Sequence, residues 1–420
     1  MKVLVIGSGA REHAIAWKLR ASPHVTEMFT APGNIGTDML GTNLDVAAID
    51  VDGLLAAAKS NHIDLTVVGP EAALEAGIVD RFRAEGLTIA GPSQAAARIE
   101  TSKAFAKGLM LKYKIPTGKA ELFTSYGKAC SYVEQNQMPV VVKADGLAAG
   151  KGVVVCQTPK IALQALREVM EDRVFGAAGD QILVEECLFG QEISVFTFTD
   201  GVHLSPLVSA CDYKRAGDGD KGPNTGGMGS YSPPRVWDTA LSDRIMLEIM
   251  APIVKALADE GTPFQGVLYG GIILTPEGPK VIEFNARWGD PETQTVLPRL
   301  QSDLVELYMA TINGTVNETT IQWSEEACVA VVLASGGYPG DYKTGYPING
   351  LDGVDDGVSV FHGGTQNGAC EGLSLPITSS GRVLTVAATG TSLEQARQRA
   401  YNNVTRISFE GAKYRKDIAR

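Results

Sequence analysis

The chain opens on an apolar run, Lys2-Val-Leu-Val-Ile6, which stops at Gly7-Ser8-Gly9 and gives way to Ala14, Ile15 and Leu19 at helical spacing. A short unbroken apolar run reads as a buried strand, and apolar positions three and four apart read as one helix face. The alternation repeats, with strands at 26–30, 65–68 and 87–90 and helices at 11–20, 52–60 and 72–83. Strand and helix in turn predict a parallel, doubly wound sheet over residues 1–100. Three strand ends carry Gly7-Ser8-Gly9, Gly69-Pro70-Glu71 and Gly91-Pro92-Ser93. Ligands of such sheets bind beyond the carboxyl ends of the strands.

Helical spacing runs on from Gln94 to Lys112, and Ile115-Pro116 breaks it. The pattern then changes to strand 140–143, glycine loop 144–152 and strand 153–155, which predicts a hairpin. Further strands are expected at 182–186, 192–199, 266–274 and 280–285, and a helix at 236–260. Between them, residues 212–234 are polar, rich in Gly and Asp, and without periodicity. A segment of that length without structure is usually functional or disordered. Beyond Trp323, strands at 327–334, 358–361 and 382–389 and a helix at 393–404 predict a small α+β domain. A chain of 420 residues has room for two to four domains.

Composition narrows the function. With 47 glycines and 7% aromatics, the chain suits α/β units joined by tight turns. A net charge of −11 argues against a nucleic-acid partner, although a locally positive pocket could still take a small phosphorylated ligand. Six cysteines without a C-x-x-C pair give neither a zinc site nor a disulfide framework, and imply a reducing cytoplasm. The first apolar run is too short for a signal segment, and no apolar stretch is long enough for a membrane helix. A cytoplasmic protein without a membrane partner is expected.

Three segments carry candidate chemistry. In Lys143–Gly152, a strand delivers Lys143 to a loop where Gly146, Gly150 and Gly152 let backbone amides approach an anion and Lys151 adds charge. The same residues also fit a plain hairpin tip with solvated lysines. Val184–Glu192 is a strand end that could offer backbone groups to a base, or a strand with exposed acids. Lys280–Glu292 is more specific. Residues two apart on a strand share a face, so Glu283 and Asn285 project together, and Arg287 follows if the strand continues. Two oxygen ligands suit Mg²⁺ completed by phosphate oxygens and water, and an arginine beside them can stabilise a transferring phosphoryl group. Gly7-x-Gly9 fails as a dinucleotide fingerprint at Glu12, and His13 reads as a helix-face histidine.

The order of Lys103, Lys143, the glycine loop, Glu185-Glu186, Glu192 and Glu283-x-Asn285 resembles the ATP-grasp superfamily. Within it, the chain is similar almost end to end to the glycinamide ribonucleotide synthetase (phosphoribosylamine–glycine ligase) family. The blocks are Gly7–His13, Pro32-Gly-Asn34, Val68–Glu71, Gly91–Ser93, Ser102–Phe105, Lys143–Gly152, Lys214-Arg215, Gly222–Gly229, Glu283–Glu292, Gly337–Pro339 and Tyr414–Asp417. The fold implied is a Rossmann-like (pre-ATP-grasp) domain at 1–102, a two-lobed ATP-grasp domain at 103–325 with a hairpin lobe at about 117–188, and the α+β domain at 326–420.

By the same resemblance, Lys103 and Lys143 contact ATP phosphates under a loop containing Gly150, Lys151 and Gly152. Glu185, Glu186 and Leu188 hold adenine, Glu192 holds ribose, and Glu283 and Asn285 bind Mg²⁺, with Mn²⁺ as an alternative. Gly9, Arg11 and Glu12 bind the sugar phosphate. Lys214, Thr225, Gly226, Gly227, Met228, Arg287, Gly289, Asp290, Pro291 and Glu292 line the pocket for glycine and 5-phosphoribosylamine. Arg287, Lys143 and Asn224 stand nearest the reacting atoms. The implied reaction forms glycinamide ribonucleotide, ADP and phosphate through glycyl phosphate, and a monomer is expected. Three positions depart from the family pattern: Ala10 for glycine, Tyr213 for histidine and Trp288 for phenylalanine.

Overall fold

The computed structural model describes residues 1–147, 152–370 and 373–420. Its N-terminal sheet has five parallel strands in the order Thr42–Asn43, Glu27–Pro32, Lys2–Gly7, Leu65–Val68, Ile89–Ala90. Val3–Ile6 are fully buried, as expected of a central parallel strand covered on both faces. Two expected helices are broken. The pattern at 72–83 forms Glu71–Glu75 and Ile78–Ala84, separated at Gly77, whose φ of 79° is left-handed. The pattern at 94–112 breaks at Ser102, which leaves the helical region and caps the next helix through Phe105 N. That break puts Lys103 at a helix start.

A second body is a four-stranded antiparallel sheet ordered Ala120–Phe123, Ile182–Glu186, Val140–Ala144, Val153–Cys156. Helices Tyr126–Gln135 and Pro159–Met170, which the periodicity did not announce, complete it around Ala129, Val133, Val142, Leu166 and Val184.

The third sheet has eight strands: Gly278–Asn285, Gln265–Thr275, Gln191–Asp200, Val208–Asp212, Gly229–Ser232, Ala327–Ala334, Arg382–Gly390 and Val358–His362. Strands from both sides of residue 326 therefore belong to one ladder, with Gly229 opposite Val331 and Ser232 opposite Cys328. The expectation of an unstructured 212–234 is corrected here. The segment holds the hairpin Arg215–Gly217/Lys221–Asn224 and the buried strand Gly229–Ser232. That strand is paired on both edges and buried on both faces, so it has no alternation to read. Among the described residues, no helix is long and apolar enough to cross a membrane.

Candidate active site

The cleft between the four-stranded and eight-stranded sheets is lined by lysines. Lys143 Nζ lies 2.8 Å from Glu185 Oε2 and donates to Ile282 O at 3.1 Å. That carbonyl is free because Ile282 is the extra residue of a bulge, where Gly271 opposes Glu283 and Ile272 opposes Val281. Lys103 Nζ donates to Gly146 O at 2.9 Å, and Asp145 accepts from Ala104 N at 3.1 Å. The glycine loop thus begins on the helix carrying Lys103. Gly150 and Lys151 lie outside the described residues, and Gly152 closes the base of the loop by accepting from Ala144 N at 2.8 Å.

Glu185 is buried, and its other oxygen lies 3.4 Å from Lys107 Nζ. Its carboxylate is therefore engaged by two cations, which leaves the exposed Glu186 and half-buried Leu188 as the edge open to a base. Glu186 accepts from Lys119 N at 3.2 Å. Glu192 is exposed and pairs with Lys214 at 3.0 Å. Lys107 is a buried partner of Glu185 that the sequence does not single out, since nothing in its local pattern separates it from a surface lysine.

Glu283 and Asn285 sit on one face of Gly278–Asn285, as their spacing requires. Burial would raise the Glu283 carboxyl, but Lys214, Lys143, Lys103 and Arg287 hold it below its ordinary value. The Asn285 amide is buried with Nδ2 unpartnered. The oxygen and nitrogen of such an amide exchange places on a half-turn of the group, so the orphan is equally an oxygen. Asp212, also missed, has its carboxyl pushed up to about 7 by burial and by Glu292, Glu192 and Glu283, against the pull of Lys214. An orphaned amide beside a concentration of carboxylates fits a hard divalent cation.

Arg287 does not continue that face, because the strand stops at Asn285. Its guanidinium turns to the N-terminal domain, donating to Glu71 at 3.1 Å and to Glu100 at 2.5 Å. Glu100 also accepts from Ala286 N at 2.7 Å, so it fixes the turn that follows the two-ligand strand.

Residues 1–100, 101–293 and 328–420 match the N domain, the ATP-grasp (A) domain and the C domain of phosphoribosylglycinamide synthetase. The chain belongs to this family. It is 49% identical over 419 residues to a phosphoribosylamine–glycine ligase of Halalkalibacterium halodurans, covering all of this chain and 96% of that one. A crystal structure of phosphoribosylamine–glycine ligase from Thermotoga maritima superposes with a TM-score of 0.86 at 30% identity, over 99% of this chain and 100% of that one. A biotin carboxylase from Campylobacter jejuni shares the fold at a TM-score of 0.74 and 13% identity, over 98% and 92% of the two chains. As a member of the phosphoribosylglycinamide synthetase family, the protein is a ligase with an ATP-grasp nucleotide site.

In this family member, a cavity of about 550 Å³ opens at Asp290, between Ser8-Gly9-Ala10 and Asn34 on one side and Thr365 and Arg382 on the other. Asn34 joins the two walls, donating to Ser8 O at 2.8 Å and His362 O at 2.7 Å. Gly9 and Asp290 line the cavity, and the methyl of Ala10 faces Gly363. Arg11 and Glu12 are not among its lining residues. The helix starts at Ala10, so both side chains turn inward: Arg11 Nε donates to Glu12 at 2.6 Å, and Glu12 accepts from Gly9 N at 2.7 Å. They shape the loop from behind.

Arg382 was not foreseen, and only its place in a Ser-Ser-Gly-Arg turn could have marked it. It donates to Gly226 O at 2.7 Å, Asp290 O at 2.9 Å and Asp290 Oδ2 at 2.9 Å. The two expected acceptor blocks, 224–229 and 289–292, are thereby held together. They also touch directly: Gly227 has φ +114°, and a Cβ there would meet Pro291 Cδ at 2.3 Å. Thr225 accepts from Gly227 N at 2.9 Å, and Met228 is buried. Gly289 has no room for a side chain, since a Cβ would meet Glu292 at 2.5 Å. Glu292 is itself buried, with one oxygen bound by Ser194 and Tyr269 at 3.0 and 3.1 Å. Asn224 stands exposed at the hairpin end. The Trp288 indole, the family's departure, donates to Tyr308 at 3.0 Å and packs on Phe196 and Phe198.

Proposed function

We propose that the protein joins glycine to 5-phosphoribosylamine with ATP, through glycyl phosphate, as a cytoplasmic, monomeric enzyme of de novo purine synthesis using Mg²⁺. The observation that carries this reading is the convergence of Lys103, Lys143 and Lys214 on Glu283, together with a cavity lined by Asp290 and Arg382, where Arg382 ties the 289–292 block to Gly226.

A carboxylate is a poor electrophile because its oxide does not leave. Attack of a glycine carboxylate oxygen on the γ-phosphorus breaks the bond to ADP and makes an acyl phosphate. The sugar amine then attacks the acyl carbon, loses a proton, and phosphate leaves with one former carboxylate oxygen. Lys103 and Lys143 bind the phosphates and neutralise charge during transfer. Glu283 and Asn285 would hold the divalent cation, which supplies further neutralisation on the phosphoryl oxygens. Lys214, held cationic chiefly by Asp212, attracts the glycine carboxylate. Arg382 fixes Asp290 and Gly226 so that the acceptor meets the activated carbon, and most of the rate comes from this positioning.

Glycine labelled with ¹⁸O in its carboxylate tests the scheme. One label is expected in the released phosphate, with ATP turnover requiring both glycine and phosphoribosylamine. Label retained wholly in the amide product would overturn the acyl phosphate, and glycine-independent turnover would overturn the acceptor.

A further inference from the structure

The segment Tyr414-Arg-Lys-Asp417 has no part in the chemistry above, yet Arg415 is among the largest fully buried side chains of the molecule. Its hydrogen bonds divide between the hairpin Arg215–Asn224 and the neighbouring Asp417. Its Nη1 donates to Arg215 O at 3.0 Å and Asp220 at 3.3 Å, while Nε and Nη2 donate to Asp417 at 2.8 Å each. Asp417 in turn accepts from Gly219 N at 2.8 Å, and Lys416 N donates to Asp218 at 2.7 Å.

Tyr213 closes the arrangement. Its ring lies 4.8 Å from the Arg415 guanidinium, and its hydroxyl accepts from Ala419 N at 2.9 Å. The hairpin otherwise offers exposed backbone to solvent, with residues 218–224 all exposed. Immediately before it stands Lys214, and immediately after it the 225–229 turn, which bonds back to Lys214 O at 2.7 Å through Thr225 N.

We propose that Arg415, stacked on Tyr213 and braced by Asp417, is a positioning residue that latches the 215–224 hairpin and so fixes Lys214 and the 225–229 turn for the acceptor substrates. The residue at 213 is then part of the latch and takes no proton from substrate. This rests on the reading of those residues as the acceptor site. The ATP phosphates are held by Lys103 and Lys143 on other elements, so the latch bears first on the acceptor substrates and reaches the nucleotide only through the Lys214–Glu192 pair and the charge of Lys214 at Glu283.

Arg415→Met removes the fork, Arg415→Lys keeps a charge, and Asp218→Ala with Asp220→Ala cuts the tie from the exposed hairpin side, which keeps the test open if the buried variant fails to fold. For Arg415→Met or the paired aspartate variant, KM for glycine or phosphoribosylamine is expected to rise roughly tenfold while MgADP affinity by calorimetry holds within about twofold, with partial rescue in Arg415→Lys. Amide exchange over 215–224 is expected to quicken by about tenfold. Unchanged exchange, or equal loss of nucleotide and acceptor affinity, would overturn the latch. Faster exchange with both acceptor constants unchanged overturns the positioning role. A wild-type protein without glycine-dependent turnover would instead strike the acceptor reading and leave the exchange result standing.

Discussion

Lys143 and Glu185 form a contact of 2.8 Å in which both side chains are less than a tenth exposed, and Lys107 meets the same carboxylate from the other side at 3.4 Å. Removing one partner of a buried pair leaves a charge without compensation. Glu185→Ala strands two lysines and is expected to lower stability by roughly 3–5 kcal/mol. Lys143→Met leaves Glu185 still paired with Lys107, so it should cost less stability while abolishing tight nucleotide binding. Denaturant midpoints at unchanged m-value, alongside nucleotide titrations, separate the two effects. Equal midpoints for both variants would refute the ranking.

Glu283 is half-buried, and under the proposed metal role its replacement should affect catalysis more than folding. Glu283→Gln is expected to reduce kcat by about 10²-fold or more, as loss of one charge-stabilising group at a transferring centre does. Its unfolding midpoint should stay near that of the parent. Chelation should stop turnover in the parent, with recovery on added Mg²⁺. A Gln variant working at the parental rate in limiting Mg²⁺ would remove Glu283 from the metal site.

Glu71 sits under Arg287 and Arg11. Burial alone would raise its carboxyl, but the two guanidiniums hold it at about 2 against an ordinary 4.5. The folded form therefore binds this proton more weakly than the unfolded chain. The stabilisation is fully present above pH 4.5 and is lost as pH falls toward 2. Glu71→Gln should lack that part of the acid dependence and start from a lower stability at neutral pH. Parallel stability–pH curves for the two proteins in that window would contradict the pairing.

His13 behaves in the same direction for a different reason. Burial first, and then neighbouring His362, depress it to about 3 from 6.5, and its Nδ1 accepts from His362 N at 2.9 Å. Its contribution is complete above pH 6.5 and falls away as the unfolded chain takes up the proton on the way to pH 3. His13→Asn can still accept from that N–H through its side-chain oxygen. Its stability should be flatter between pH 6.5 and 3, measured by chemical denaturation at closely spaced pH values.

Some of this was readable from the residues alone. Glu283 and Asn285 share a face because a strand repeats every two residues, and the β-α alternation of residues 1–100 follows from period alone. The helix breaks at Gly77 and Ser102 were missed because single residues inside a helical pattern carry little weight against it. Strand Gly229–Ser232 was missed because neither of its faces meets solvent. The partners of Glu185, the turn of Arg11 and Glu12 away from the cavity, and the reach of Arg382 to Asp290 depend on which distant segments meet, and a local pattern holds no record of that. Arg287 was foreseen on the ligand face, and the strand ended two residues too early for it.

The ladder that pairs Gly229–Ser232 with Ala327–Ala334 also limits how the molecule can be divided. A terminal segment that merely leaned on its neighbour could be trimmed or exchanged as a cassette. Here removal would uncover both long edges of the cut, each a row of free amides and carbonyls able to recruit a foreign strand. A chain nicked between residues 317 and 326 should instead stay associated and elute as one species, while truncation at the same place should yield aggregates.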